Sequence, residues 1–300
     1  MKWLMLCREP RLYSCKQIKR ACEQKGIELD ILDPNRMLLA LADGQFQLFY
    51  QEGESYDKNR PSLKLLGKYD GVLPRFGTGS TEMGCAVLRH FEAQGTAVLN
   101  SADAFSLARN KWQSLQVLME NQLPVPHTSF AGNLVAVGEQ LAQYSFPIVA
   151  KVLNGSQGNG VMLFENPANA ESVLATFSQL NVPYLSQQFI AESKGHDFRA
   201  FVIGDKVVAA MQRIGAKDEF RANIHQGGTA KIAELTESEQ YWVVKAAQAI
   251  GLEVAGVDFL RTQQGILILE VNASPGFEGI EQVNQVDIAE EMVSYFLTKM

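Results

Sequence analysis

Apolar positions in the first hundred residues come in short runs separated by helix-like spacing. Trp3-Leu4-Met5-Leu6-Cys7, Leu29-Asp30-Ile31-Leu32, Gly71-Val72-Leu73-Pro74 and Ala97-Val98-Leu99 read as strands. Residues 14–25 form a charged helix ended by Gly26, and residues 82–94 a second helix. This βαβ alternation predicts a small, mostly parallel α/β sheet. Beyond Asn100 the pattern changes. A helix over 109–122 stops before Pro124 and Pro126, and Pro147 to Leu153 is a strand. The segment Asn154-Gly155-Ser156-Gln157-Gly158-Asn159-Gly160 joins it to a strand at Val161-Met162-Leu163-Phe164, and Asn166 and Pro167 open another helix. Phe198 to Arg213 is a hairpin turning at Gly204-Asp205. Thr236 and Glu239 have capping-box spacing before a helix that stops at Gly251, and Asp287 with Glu290 repeats that logic at the last helix. Mixed hairpins and helices predict an α+β architecture here, with no internal repeat.

One further hairpin carries the most informative chemistry. Val257-Asp258-Phe259-Leu260 and Ile266-Leu267-Ile268-Leu269 flank Gln263-Gln264-Gly265. A loop centred on Gln264 sets Asp258 across from Glu270. Asn272, two residues on, leaves its strand on the same face as Glu270. Three hard oxygen donors on one spot of a buried sheet suit magnesium shared with phosphates. For Asp258 alone the competing reading is a buried acid satisfied by an arginine or by backbone amides.

The glycine-rich segment 154–160 can lie over phosphates, having little side-chain bulk and many amides. It is not a Walker loop, because no Gly-Lys-Ser/Thr opens a following helix. Lys151, in an otherwise apolar strand just before it, is placed to neutralise phosphate oxygens; the alternative is a lysine snorkelling from a strand edge. Residues 194–231 are the most basic stretch. Arg199 and Arg213 stand on hairpin strands, and Arg221, Asn223 and His225 alternate onto one face before a glycine pair.

Composition narrows the class. A chain of 300 residues with 46% hydrophobic content can bury a large core in two or three domains. A net charge of -6 argues against a general nucleic-acid binder. Cys7, Cys15, Cys22 and Cys85 show no CxxC spacing and read as reduced packing residues of a cytoplasmic protein; Cys15 and Cys22 can share a helix face. No signal-peptide core or membrane-length apolar run is expected. No GxGxxG follows the first strand, which disfavours a Rossmann dinucleotide site.

Lys151 with its glycine loop, the basic hairpin and the Asp258/Glu270/Asn272 triplet come in the order seen in ATP-grasp ligases. The resemblance is closer at Leu12-Tyr13-Ser14-Cys15, Ile31-Leu32-Asp33-Pro34, Pro74-Arg75-Phe76-Gly77, Gly195-His196-Asp197-Phe198-Arg199, Phe220-Arg221-Ala222-Asn223, Val254-Ala255-Gly256-Val257-Asp258 and Glu270 through Glu281. These segments are similar to the RimK family of α-L-glutamate ligases and span almost the whole chain.

The resemblance implies an ATP-grasp fold: a pre-ATP-grasp α/β domain over 1–100, then α+β subdomains over 101–186 and 187–300 that sandwich ATP. It implies that Lys111, Lys151, Gly155, Ser156, Gly158 and Gly160 belong to the nucleotide site. Gln188 and Phe189 would border adenine, Asp197 would face the ribose, and Arg221 and Asn223 would reach phosphates. Lys151, Arg213 and Arg221 would be the catalytic cations. Asp258, Glu270 and Asn272 would hold two Mg²⁺ or Mn²⁺ ions, with Glu270 bridging. Two departures stand out: Gln187-Gln188, where relatives more often read Gln-Glu, and the loop from Asp43 to Leu66. Implied partners are L-glutamate and the C-terminal carboxylate of a protein or peptide, with a small-subunit ribosomal protein as the best-known acceptor and a homotetramer as the assembly. Neither nucleic acid nor membrane is expected. The competing functions are an ATP-grasp ligase for another amino acid or a carrier protein, a kinase stopping at the phosphorylated product, and a non-catalytic nucleotide-binding module.

Overall fold

The structure, a computed structural model, describes residues 1–153, 155, 160–216, 219–220, 222 and 227–300. β1 (Lys2–Leu6), α1 (Tyr13–Gln24) and β2 (Glu28–Leu32) form the first βαβ unit. Trp3 to Leu6 are all buried, as a parallel strand covered on both faces requires. α1 turns Ser14, Cys15, Ile18, Ala21 and Cys22 inward. The predicted sharing of a helix face by Cys15 and Cys22 therefore holds, and in addition Cys15 Sγ lies 3.2 Å from Cys7 Sγ at the end of β1.

The chain then departs from expectation. β3 (Met37–Ala42) and β4 (Gln45–Tyr50) make an antiparallel hairpin, with β5 (Lys64–Leu65) at its edge. The segment from Asp43 to Leu66, read as loop, thus holds two strands. Asp43 and Gly44 both have positive φ, 53° and 71°, and form the two-residue turn that Asp-Gly favours. β6 (Gly71–Pro74), α2 (Thr81–Glu92) and β7 (Ala97–Val98) complete a parallel sheet in the order β2-β1-β6-β7. The chain reverses its direction of winding between β1 and β6, so Cys7-Arg8 and Arg75-Phe76 lie at the sheet's topological switch point.

A helix that was not expected, α3 (Ala102–Arg109), precedes the one expected over 109–122, which is α4 (Lys111–Glu120). Asn110 separates them at ψ 99°, and its side chain caps α4 by accepting from Gln113 N. β8 (Thr128–Ser129), α5 (Val137–Leu141), β9 (Ile148–Val152), β10 (Val161–Phe164), α6 (Pro167–Gln179) and β11 (Tyr184–Gln188) follow. Their strands make an antiparallel sheet, β10-β9-β11-β8, and Asn166 caps α6 as predicted.

The last sheet is built from β12 (His196–Ile203), β13 (Lys206–Ile214) and β14 (Thr229–Ile232), then α7 (Glu237–Ile250), β15 (Val254–Thr262) and β16 (Gly265–Asn272). Its order is β14-β13-β12-β15-β16. The capping box at Thr236 and Glu239 and the left-handed Gly251 bound α7 as predicted. α8 (Glu278–Asn284) and α9 (Ile288–Leu297) return to the start of the chain. Phe296 meets Trp3 edge-on at 4.8 Å, in a core that joins the first sheet to the last. Among the described residues, no helix is long and apolar enough to cross a membrane.

Candidate active site

The β15–β16 hairpin pairs Asp258 with Glu270 and Gly256 with Asn272, the register expected, but it reaches that register by a different route. Its turn is two residues, since Thr262 pairs with Gly265, and a bulge between Phe259 and Asp258 then leaves Leu269 unpaired. Ile268 N, at the bulge, donates to Pro124 O at 2.7 Å, tying the segment after α4 to β16.

Cross-strand register lines up charge over one face of the sheet. Asp197 on β12 faces Arg213 on β13, and Arg199, two residues along β12, faces Asp258 on β15. Phe198 between them points to the opposite face and stacks on Phe259 at 5.4 Å. Arg199 donates from Nε and Nη2 to both Asp258 oxygens at 2.6 Å. Arg213 does the same to Asp197, at 2.6 and 2.7 Å, and also lies 3.0 Å from Asp258 Oδ2. Burial alone would push the Asp258 carboxyl up, yet Arg199 and Arg213 overcome it and hold the group down at about 2. Asp197 goes the other way, raised by burial and by the Asp258 charge against the pull of Arg213. Arg213, expected to be catalytic, therefore holds two carboxylates, and Asp197, expected at the ribose, is held by it. For Asp258 the structure shows the acid satisfied by arginine.

Glu270 is different. Its one hydrogen bond among the described residues comes from Asn272 Nδ2 at 3.2 Å. Around it stand Arg109, Lys111 and Lys151, each of which feels the Glu270 charge. Burial lowers all three from their ordinary values, and Glu270 opposes that lowering. Lys151 Nζ has no hydrogen-bond partner among the described residues, and it projects from β9 as expected. Lys111 Nζ donates to Leu153 O at 2.9 Å and Gly155 O at 2.6 Å, so it ties down the entry to the glycine-rich loop. Gly160, at φ +77°, closes that loop by accepting from Val152 N, and a Cβ there would sit 3.0 Å from Val152 Cβ. Gln188 is exposed at the end of β11, its backbone N–H bonded to His127 O, and Phe189 is partly buried beside it. Ser156, Gly158, Arg221, Asn223 and His225 lie outside the described residues.

These residues can be tested against a divalent cation. Glu270 and the Asn272 side-chain oxygen fit: both are hard oxygen donors, they are neighbours on one strand face, and no basic side chain hydrogen-bonds either among the described residues. Asp258 fits as the third donor only by sharing oxygens that Arg199 and Arg213 now occupy. Among the described residues, no three His, Cys, Asp or Glu side chains come together. A cation here relies on two acids, a carboxamide and the ligand's own oxygens.

Sequence reading missed three side chains. Arg75, inside the Pro74-Arg75-Phe76-Gly77 segment, is buried; it donates to Pro275 O at 3.0 Å and Ser14 Oγ at 2.9 Å, and its Nε has no partner. Arg109 donates to Phe76 O at 2.8 Å and leaves a buried Nε without a partner. Asn100 is buried between β7 and the last sheet. A charged residue following an apolar strand or helix was the available signal for the first two; Asn100 gave none.

Comparison with known proteins accounts for this arrangement. A RimK-like ATP-grasp domain model matches residues 108–296, and a RimK pre-ATP-grasp domain model matches residues 1–105. The chain belongs to the RimK-like ATP-grasp family. A probable alpha-L-glutamate ligase of Haemophilus ducreyi is 54% identical over 99% of both chains. One from Pasteurella multocida is 50% identical over 100% of this chain and 95% of its own. Among solved structures, the ATP-grasp ligase PsnB complexed with minimal precursor superposes with a TM-score of 0.73 at 21% identity, over 99% of each chain. The macrocyclase MdnC bound with precursor peptide MdnA, from Microcystis aeruginosa, gives 0.72 at 15% identity, over 99% of this chain and all of its own. These two establish the ATP-grasp fold. The parallel sheet and the β3-β4-β5 sheet lie within the residues matched by the pre-ATP-grasp model, and the other two sheets within those matched by the ATP-grasp model.

Proposed function

We propose that this protein is an ATP-dependent carboxylate–amine ligase that adds L-glutamate to the C-terminal carboxylate of a protein or peptide, with a small-subunit ribosomal protein as the first acceptor to test. One observation carries the reading: Arg109, Lys111 and Lys151 each feel the Glu270 charge and make no ion pair among the described residues, a net positive site suited to phosphates and carboxylates. The full-length relatives named alpha-L-glutamate ligases give the amino acid.

A carboxylate oxygen is a poor leaving group, so the acceptor needs activation. Its oxygen attacks the γ-phosphorus of ATP, ADP leaves, and an acyl phosphate forms. The glutamate amine then attacks the acyl carbon, releases inorganic phosphate, loses a proton and leaves an amide. Lys151 and Arg221 offset charge that spreads over the transferring oxygens, and Lys111 holds the glycine loop in place to shield the acyl phosphate from water. The Arg199–Asp258–Arg213–Asp197 network fixes the sheet face on which this occurs. Two Mg²⁺ or Mn²⁺ ions, held by Glu270, Asn272 and Asp258, would neutralise phosphate charge when bound. No side-chain nucleophile is required. We place the reaction in the cytoplasm and the chain in a homotetramer.

Mass spectrometry tests this directly. Ribosomal proteins incubated with the protein, ATP, Mg²⁺ and L-glutamate should gain a ladder of glutamyl residues, and Glu270→Ala should abolish it. ADP release with a different amino acid or acceptor would discard glutamate and keep the ligase. ADP release from an acceptor with no amide formed would point to a kinase. No ADP in any mixture would leave a nucleotide-binding module.

A further inference from the structure

Four largely buried cations have no acid hydrogen-bonded or ion-paired to them among the described residues: Arg75, Arg109, Lys111 and Lys151. Burying an uncompensated charge is costly, so a site built this way is completed by an anion. The four divide between two walls. Lys111 is fastened to the backbone at the entry to the glycine-rich loop, and Lys151 stands on the strand leading into it. ATP phosphates in the proposed reaction account for those two. Arg109 and Arg75 belong to the other wall. Arg109 grips the Phe76 carbonyl, and Arg75 immediately precedes Phe76.

That wall is rigid. Phe76 packs its ring on Phe105 of α3 at 4.3 Å and against Gly84 of α2, where a Cβ would come within 2.5 Å of the ring. Arg109 in turn lies over the Phe105 ring, 5.2 Å from its centroid. The guanidinium is thereby held on both sides while its buried Nε has no acceptor, and its Nη1 makes no hydrogen bond among the described residues. Arg75 has spent Nη1 and Nη2 on Pro275 O and Ser14 Oγ, so it adds charge and no free fork. The wall follows β6 at the topological switch point, where open α/β sheets take their ligands. The Glu270 charge bears on Arg109 as it does on Lys111 and Lys151 of the other wall.

We propose that Arg109 is a substrate-binding residue that receives a carboxylate, either the α-carboxylate of the incoming amino acid or the acceptor's C-terminal carboxylate. Nη1, which makes no hydrogen bond among the described residues, offers a charge-assisted N–H to a carboxylate while Nη2 stays anchored to Phe76 O. Lysine could supply charge at this position but not the planar group held between the Phe76 carbonyl and the Phe105 ring. The assignment rests on the ligase reading above.

The test is calorimetric binding to the full chain saturated with Mg²⁺ and a non-hydrolysable ATP analogue. The probes are L-glutamate, a triglutamate peptide with a free C-terminus and the same peptide amidated. Arg109→Gln should weaken one free carboxylate by roughly tenfold to a hundredfold, the loss expected for a charge-assisted hydrogen bond. Arg109→Lys should recover part of it, and a single cooperative unfolding transition by calorimetry certifies folding in both variants. Loss confined to L-glutamate assigns the amino-acid carboxylate. Loss confined to the free peptide, with the amidated peptide weak to wild type as well, assigns the acceptor. Carboxylate affinities equal in wild type and Arg109→Gln would overturn the assignment alone. A wild type that binds the nucleotide but neither carboxylate would overturn the glutamate reading and this assignment with it.

Discussion

Asn100 offers the sharpest test of how the domains hold the site together. Its side chain is 2% exposed and uses its full hydrogen-bonding capacity. Nδ2 donates to Val254 O at 2.9 Å and Ala273 O at 3.1 Å, while Oδ1 accepts from Glu253 N at 2.9 Å and Val254 N at 3.0 Å. One residue after β7 thus pins both the start of β15 and the residue following Asn272. Asn100→Ala removes four buried hydrogen bonds at about 1 kcal/mol net each, so a loss of roughly 3–5 kcal/mol is expected. That corresponds to a melting temperature lower by on the order of 10 °C. Asn100→Asp keeps both accepted bonds but sets a carboxylate oxygen against two carbonyls, and should cost at least as much at neutral pH. Calorimetric melting and urea denaturation of the three proteins measure this. Because Ala273 adjoins Asn272, Mn²⁺ affinity should fall with stability in both variants. An Asn100→Ala protein within about 1 kcal/mol of wild type would refute the clamp.

Three other predictions follow from the same geometry. Glu270→Ala should reduce Mg²⁺-dependent ADP release at least about a hundredfold, since it removes the acid facing three cations; a loss under tenfold in a steady-state ADP assay would contradict its placement. Gly84→Ala puts a Cβ 2.5 Å from Phe76 Cζ and should cost about 1–3 kcal/mol in urea denaturation, with Phe76→Leu in the same chain restoring part of it. Lys151 is lowered from 10.5 by burial, whereas nucleotide phosphates favour its ammonium form, so binding raises its pKa. Nucleotide binding should therefore take up protons at alkaline pH, and affinity should fall as pH rises through the free protein's Lys151 value, below 10.5. Titration calorimetry in two buffers of different ionisation heat reads the proton uptake, and Lys151→Arg should abolish it.

Element type was legible wherever local pattern decides it. Caps at Asn166, Thr236 and Asp287, the αL stop at Gly251 and the hairpin at Gly204-Asp205 are local signals, and each stands where the residues put it. The Asp43-Gly44 turn is also a local signal, an Asp-Gly pair at positive φ between the paired runs Met37–Ala42 and Gln45–Tyr50. Charge could not be read this way. The stretch 194–231 is the most basic in the chain. Among its described residues, however, Arg199 and Arg213 are spent on Asp258 and Asp197, a four-group network whose formal charges cancel. Arg199 and Asp258 are far apart in sequence and meet only through the register of β12 against β15. Among the described residues, buried charge without an acid partner sits instead on Arg75, Arg109, Lys111 and Lys151, scattered through segments of ordinary composition. Local basic density is therefore a poor guide to where this protein holds an anion. What matters is whether the fold supplies each cation with an acid, and among the described residues none is supplied at the wall gripped by Arg109.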